Sequence, residues 1–133
     1  MFTIKKTFHL AYAHRLMHHK GKCKNLHGHN ALVEVTLKAR KLNSQKMVMD
    51  FTELARIMKK WLDDNLDHKV ILSKKDPLLK LLQKEGQDCF TTEQNPTAEI
   101  LAELIFKALE RSGHPVAKVA FWETPTSMAG YKK

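Results

Sequence analysis

The sequence predicts an α+β domain in which antiparallel strands carry helices on one face. Three observations lead there. Residues 2–14 and 27–40 alternate between apolar and polar side chains with a period of two, the pattern of a strand with one buried face. Two later stretches, opening at Asp50 and at Asn95, carry apolar residues at helical spacing. The elements then run strand, strand, strand, helix, helix, strand, as expected of hairpins followed by a helical layer. A chain of 133 residues fits one domain, residues 1–133, and 43% hydrophobic residues are enough for a core.

In the first strand, Phe2, Ile4, Lys6, Phe8, Leu10, Tyr12 and His14 share one parity, and Thr3, Lys5, Thr7 and His9 the other. His14 therefore points inward with Phe8 and Leu10. Residues 15–26 read as a lysine-rich loop containing Gly21. In the second strand Ala31, Val33, Val35, Leu37 and Ala39 continue the parity of His27 and His29. Asn43-Ser44 marks a turn, and Lys46–Met49 reads as a short third strand. Asp50 is an N-cap with Glu53 three residues on, resembling a capping box. Phe51, Leu54, Ile57, Met58, Trp61 and Leu62 form the stripe of the first helix, which ends near Asp67-His68.

Val70–Leu72 reads as a short extended piece, Asp76-Pro77 as the start of a short helix ending at Gly86, and Asp88–Thr92 as a further strand. Asn95-Pro96-Thr97-Ala98-Glu99 opens the second main helix, with Ile100, Leu101, Leu104, Ile105, Ala108 and Leu109 on its apolar face and Gly113 and Pro115 stopping it. Val116–Glu123 is apolar on both parities and so reads as a central strand; Thr124–Gly130 reads as a polar tail loop.

Chemistry concentrates between His14 and His29. Five of the eight histidines and one of the two cysteines fall within these sixteen residues. His27 and His29 are two apart on a strand, so both rings reach the same face, and His14 supplies a third nitrogen if the two strands pair. Three protein ligands and an open position make the usual catalytic zinc site. Cys23, among Lys20, Lys22 and Lys24, is a fourth ligand or a reactive thiol. Against this stands the plainer fact that a His-x-His pair is often two surface histidines. Gly28 between the rings leaves room for close approach to the backbone. Asp67 beside His68 can set the tautomer of the imidazole, although a histidine at a helix C-terminus is unremarkable. Glu123 ends an apolar strand at solvent or at a pocket mouth, and Glu99 sits in a first helical turn, where an acid is ordinary.

A formal net charge of +9 suits an anionic partner. No basic stretch interleaves with aromatics, which places nucleic acid behind a small phosphorylated molecule. No apolar run spans a membrane, Met1–Lys6 carries no apolar signal segment, and two cysteines without a framework spacing suit a reducing compartment, the cytoplasm.

These residues also fall into a known pattern. Ala13-His14-Arg15-Leu16, Cys23-x-x-x-His27-Gly28-His29, Met49-Asp50-Phe51, Leu66-Asp67-His68, Asn95-Pro96-Thr97-Ala98-Glu99 and Glu123-Thr124 follow one another in this order. Together they resemble the 6-pyruvoyl-tetrahydropterin synthase and 6-carboxytetrahydropterin synthase family over nearly the whole chain. The resemblance implies a tunnelling fold (T-fold), with a four-stranded antiparallel sheet and two helices on one face. It implies trimers stacking as hexamers, with active sites at subunit junctions. It implies Zn²⁺ on His14, His27 and His29 and 7,8-dihydroneopterin triphosphate as substrate. Cys23 then moves a side-chain proton, Asp67 and His68 complete the relay, and Glu123 anchors the pterin edge, assisted by Glu99 with Thr97 nearby. Arg15 and the Lys20–Lys24 loop are candidates for the triphosphate. Tyr12 departs from the pattern, standing where many members carry alanine. The likeness to short bacterial members favours 6-carboxytetrahydropterin, on the route to queuosine-type 7-deazaguanines, over the 6-pyruvoyl product. Members with glutamate at the cysteine position make a folate precursor, an activity that Cys23 argues against. Two other classes are open to the same residues: a non-catalytic zinc module holding a pterin, nucleotide or RNA, and a cysteine hydrolase pairing Cys23 with His68.

Overall fold

The computed structural model describes all 133 residues. It contains β1 (Phe2–His14), β2 (His27–Ala39), α1 (Phe51–Asn65), β3 (Lys69–Ser73), α2 (Leu78–Lys84), β4 (Cys89–Thr92), α3 (Ala98–Arg111), β5 (Val116–Thr124) and β6 (Ser127–Lys132). The sheet has six strands in the order β4-β3-β1-β2-β5-β6, not four. It is mixed: β1 pairs antiparallel with β2, β2 with β5 and β5 with β6, while β3 runs parallel to both β1 and β4. Of its three helices, α1 and α3 form the expected layer and α2 is the short helix expected within residues 76–86.

The long strands behave as their alternation predicts. Phe8, Leu10, Tyr12 and His14 of β1 and Ala31, Val33, Val35 and Leu37 are turned inward; of these Val33, Val35 and Leu37 are completely buried. Leu54, Met58 and Leu62 of α1 and Leu101, Ile105, Phe106 and Leu109 of α3 close over them. The opposite sheet face keeps Thr3, Lys5, Thr7 and His9 in water. α2 buries no residue, packs mainly at the β4 edge and contributes no side chain to the main core.

α1 begins where Asp50 predicts: its carboxylate accepts from Thr52 N at 2.7 Å and Glu53 N at 3.4 Å. Glu53 makes no return bond, so the cap is one-sided, and Phe51 is exposed rather than part of the buried stripe. Val116–Glu123 is a flanked strand, with Val119, Ala120 and Phe121 buried between β2 and β6.

Two local readings are corrected. Residues 46–49 do not form a strand. The Asn43 side-chain oxygen accepts from Gln45 N at 2.9 Å and Met47 N at 3.0 Å, and Asn43 N donates to Met47 O at 2.9 Å. These bonds wind the backbone into a turn with Lys46 at φ 63°, and they consume the groups a sheet ladder would use. The tail is not a loop throughout. After a turn at Thr124–Thr126, Ser127–Lys132 adds an edge strand to β5. Its small and polar residues remain mostly exposed, which is why the hydrophobic pattern did not announce it.

Candidate functional site

The register of the first hairpin assembles the centre. His14 stands opposite His27 and Tyr12 opposite His29, at the end of the pairing where the two strands diverge into the 15–26 loop. The three imidazoles converge, with one nitrogen from each lying within 4.8 Å of the others. His14 is buried, and His27 and His29 are half-buried. Gly28 is placed between the two imidazoles of β2, where a Cβ would come 3.2 Å from the Tyr12 carbonyl. The close approach is that of the neighbouring strand.

The ring tautomers follow from what the other nitrogens touch. His14 Nδ1 lies 2.8 Å from the Pro96 carbonyl and His27 Nδ1 2.7 Å from the Asn25 carbonyl. A carbonyl only accepts, so both Nδ1 atoms carry the hydrogen. In the neutral rings both Nε2 atoms then present lone pairs, and they face each other at 3.1 Å. Two facing acceptors repel unless a cation lies between them. Zinc–nitrogen bonds of about 2.0–2.1 Å in a tetrahedron put neighbouring nitrogens about 3.3 Å apart, close to what is seen. The donor set thus fits a metal ion, and the backbone carbonyls are the outer partners that orient metal-binding histidines.

Burial pushes the His14 ring down from 6.5 to about 4; the Pro96 bond opposes this, and His27 and His29 add to it. His29 is also lowered, chiefly by burial, with Glu123 opposing and His27 contributing. Neutral imidazole is the form that binds metal. The unfolded chain therefore takes up a proton at His14 that the folded protein refuses between pH 6.5 and about 4. The stability from the neutral ring is complete above that window and is lost as pH falls through it. Thermal melts of metal-free protein are expected to fall across this range, and less steeply after His14→Gln.

Glu123 joins the centre. Its Oε1 lies 3.8 Å from His14 Nε2 and 3.5 Å from the Tyr12 hydroxyl, which is in position to donate to it. Burial, with the adjacent Glu123 carboxylate, raises the Tyr12 phenol above its ordinary value and keeps it protonated. The Tyr12 ring packs edge-on against His14 and Phe121, with centroids 5.0 and 5.6 Å away, and tilts over His29.

Asp67 and His68 form a second group at the junction of α1 and β3. Asp67 accepts from Ala11 N at 3.0 Å and from His68 Nδ1 at 2.6 Å, while His68 N donates to Ala11 O at 2.7 Å. His68 has a left-handed backbone, φ 57°, and its side chain is 81% exposed. It lines with His29 and Lys69 an open cavity of about 430 Å³. Cys23 lies half-buried on a single 3-10 turn (Lys22–Lys24), and its carbonyl accepts from Leu16 N at 2.9 Å. Its thiol bonds to none of the imidazoles and is not part of the metal-binding group.

Comparison with known proteins places these features. The sequence matches the family described as "6-pyruvoyl tetrahydropterin synthase" over residues 3–133. The chain belongs to that family. The 6-carboxy-5,6,7,8-tetrahydropterin synthase of Haemophilus influenzae is 36% identical across 100% of both chains. Among solved structures, an uncharacterised protein of Wolinella succinogenes superposes with a TM-score of 0.81 at 26% identity, covering 99% of this chain and 98% of that one. The Caenorhabditis elegans 6-pyruvoyl tetrahydropterin synthase superposes with a TM-score of 0.73 at 29% identity, covering 99% and 95%.

The other residues that the resemblance implies are placed by their local bonds. Thr97 is the N-cap of α3, its hydroxyl accepting from Ile100 N at 3.3 Å. Glu99 is exposed in the first turn of α3 and makes no hydrogen bond or ion pair. Thr97→Ala is expected to cost about 1 kcal/mol of stability, the usual worth of such a cap, with KM unchanged; a raised KM at unchanged melting temperature would assign the hydroxyl to substrate instead. Arg15 is not a free phosphate ligand. It forks onto Asp76, with Nε 2.8 Å from Oδ2 and its terminal nitrogen on Oδ1, and the Asp76 side chain is 0% exposed. The pair raises the guanidinium and lowers the carboxyl. The partners missed in the sequence are Tyr12 as a donor to Glu123, the carbonyls of Asn25 and Pro96, and the side chains of Asp76 and Asn95. Tyr12 left a trace as the departure from the family pattern, and Asn95 and Pro96 as members of the Asn95–Glu99 motif.

Proposed function

We propose that the chain is a zinc-dependent 6-carboxy-5,6,7,8-tetrahydropterin synthase. It converts 7,8-dihydroneopterin triphosphate to 6-carboxytetrahydropterin, releasing acetaldehyde and triphosphate, as a cytoplasmic step towards queuosine-type 7-deazaguanines. The observation that carries this reading is the convergence of three imidazole nitrogens, two of them oriented by backbone carbonyls, beside a carboxylate. Relatives named for this activity support it along the full chain.

Three nitrogen donors with an open position suit zinc, held by His14, His27 and His29. When bound, the ion supplies Lewis-acid polarisation of a substrate side-chain oxygen and acidifies the adjoining protons. The remaining work falls to protein groups. Glu123 offers two acceptor oxygens to the paired donors of an aminopyrimidine edge. Cys23 takes and returns a side-chain proton. Asp67 fixes the Nδ1–H tautomer of His68, leaving Nε2 as the basic atom for the other proton. Glu99 assists at the ring.

The free outer edges of β4 and β6 and the exposed His68 ring support assembly as a homo-oligomer, a trimer or hexamer with sites at subunit junctions. No helix is long and apolar enough to cross a membrane.

The likeness to the Caenorhabditis elegans enzyme favours one alternative, elimination of triphosphate to 6-pyruvoyl-tetrahydropterin. Product analysis after incubation with 7,8-dihydroneopterin triphosphate separates the two. One acetaldehyde per tetrahydropterin is expected. A pyruvoyl product without acetaldehyde selects the alternative, and absence of both from metal-loaded protein overturns the enzyme assignment.

A further inference from the structure

The loop of residues 15–26 that carries Cys23 is held internally by short-range bonds, among them Asn25 N to Lys22 O at 3.0 Å and Gly21 N to His19 Nδ1 at 2.8 Å. Two hydrogen-bonded contacts tie it to a distant part of the chain. Both come from the segment between β3 and α3. In one, Arg15 forks onto the buried Asp76, whose Oδ1 also accepts from Leu78 N at 2.8 Å at the start of α2. In the other, the Asn95 side chain meets Met17 much as a neighbouring strand would. Its Oδ1 accepts from Met17 N at 3.0 Å and its Nδ2 donates to Met17 O at 2.9 Å.

The two contacts grip the residues on either side of Leu16. Leu16 N is the donor that holds the Cys23 carbonyl at 2.9 Å. The next residue after Asn95 is Pro96, whose carbonyl orients His14. One short stretch thus fixes both a metal-binding ring and the backbone from which the thiol hangs.

We propose that Asn95 and Asp76 are positioning residues that set the Cys23 loop relative to the histidine centre, with residues 74–95 as its buttress. A thiol that must meet a substrate proton tolerates little displacement, because errors near 1 Å cost about a hundredfold in rate. The proposal rests on Cys23 acting in turnover, and its test separates the two ideas.

Asn95→Ala removes one contact entirely, Asp76→Asn weakens the other by taking away the carboxylate charge that faces Arg15, and Asn95→Asp keeps the acceptor for Met17 N while losing the donor. The first readout is the rate of iodoacetamide alkylation of metal-loaded protein, followed peptide by peptide so that Cys89 is the internal control. Cys23 is expected to react at least about threefold faster in the Ala and Asn variants, as a loosened loop opens more often, with Cys89 unchanged. The second is kinetic: kcat falls about tenfold or more while KM and metal per chain hold. The third is a cycle with Cys23→Ala, in whose background neither variant lowers residual turnover further. Unchanged Cys23 alkylation in both variants overturns the proposal. So does metal loss in proportion to lost activity, which would route the effect through Pro96 and His14. Full turnover by Cys23→Ala alone instead defeats the catalytic reading of the thiol, while the alkylation rates still decide the buttress.

Discussion

His14→Ala is expected to leave the protein without its metal and to lower turnover by about a thousandfold or more, since even outer partners of metal ligands cost 10–100-fold when lost. His14 is the deepest of the three rings, with only 2% of its surface exposed. Its Nε2 lies 3.1 Å from that of His27, so removing it deletes one wall of the metal cage. Truncation also strands the Pro96 carbonyl, which loses its donor inside the protein. Elemental analysis should show metal falling from about one per chain towards zero, since two imidazoles are below the three ligands of a catalytic site. Unchanged metal content would show that the ion, if any, is held elsewhere. An activity assay in the presence of a chelator separates the cysteine hydrolase reading, which predicts that turnover survives.

Cys23→Ala is the second large effect, and it carries the opposite signature. Turnover should drop by about 10²–10⁴-fold, the usual worth of a positioned proton-transfer group. Metal content should not change, because the thiol lies outside the imidazole group. Melting temperature should move little, since Cys23 is half-buried and its structural bond is made by its backbone carbonyl. A variant that binds metal and turns over normally would falsify the catalytic role. A non-catalytic binding module would behave in that way.

The contrast between these residues shows what a sequence can disclose. The common face of His14, His27 and His29 was legible because side-chain alternation in a strand is a local rule and the hairpin register obeys it. The Asp50 cap was legible for the same reason: its carboxylate bonds to amides two and three residues away. What stayed hidden depends on distant partners. Arg15 looked like a ligand for an anion until Asp76, far along the chain, was seen to occupy it. Lys46–Met49 has strand-like residues, but the Asn43 side chain reaches their amides first. β6 is an edge strand whose inward residues, Ala129 and Tyr131, are only half-buried, so its apolar alternation is weak. β3 was readable as an extended piece, but nothing in its residues says that it lies parallel to β1. Pro96 and Asn25 contribute through carbonyls, which every residue possesses.

The position of the three imidazoles at the loop end of the hairpin bears on how the chain folds. The β1–β2 ladder runs from Phe2↔Ala39 to His14↔His27, and its last rungs border the loop of residues 15–26. An ion captured there latches the final rungs, and part of its binding energy appears as resistance to unzipping. Hydrogen exchange should therefore be uneven along the ribbon. Amides of residues 11–14 and 27–30 should slow sharply when metal is added, while those near Phe2 and Ala39 keep their rates.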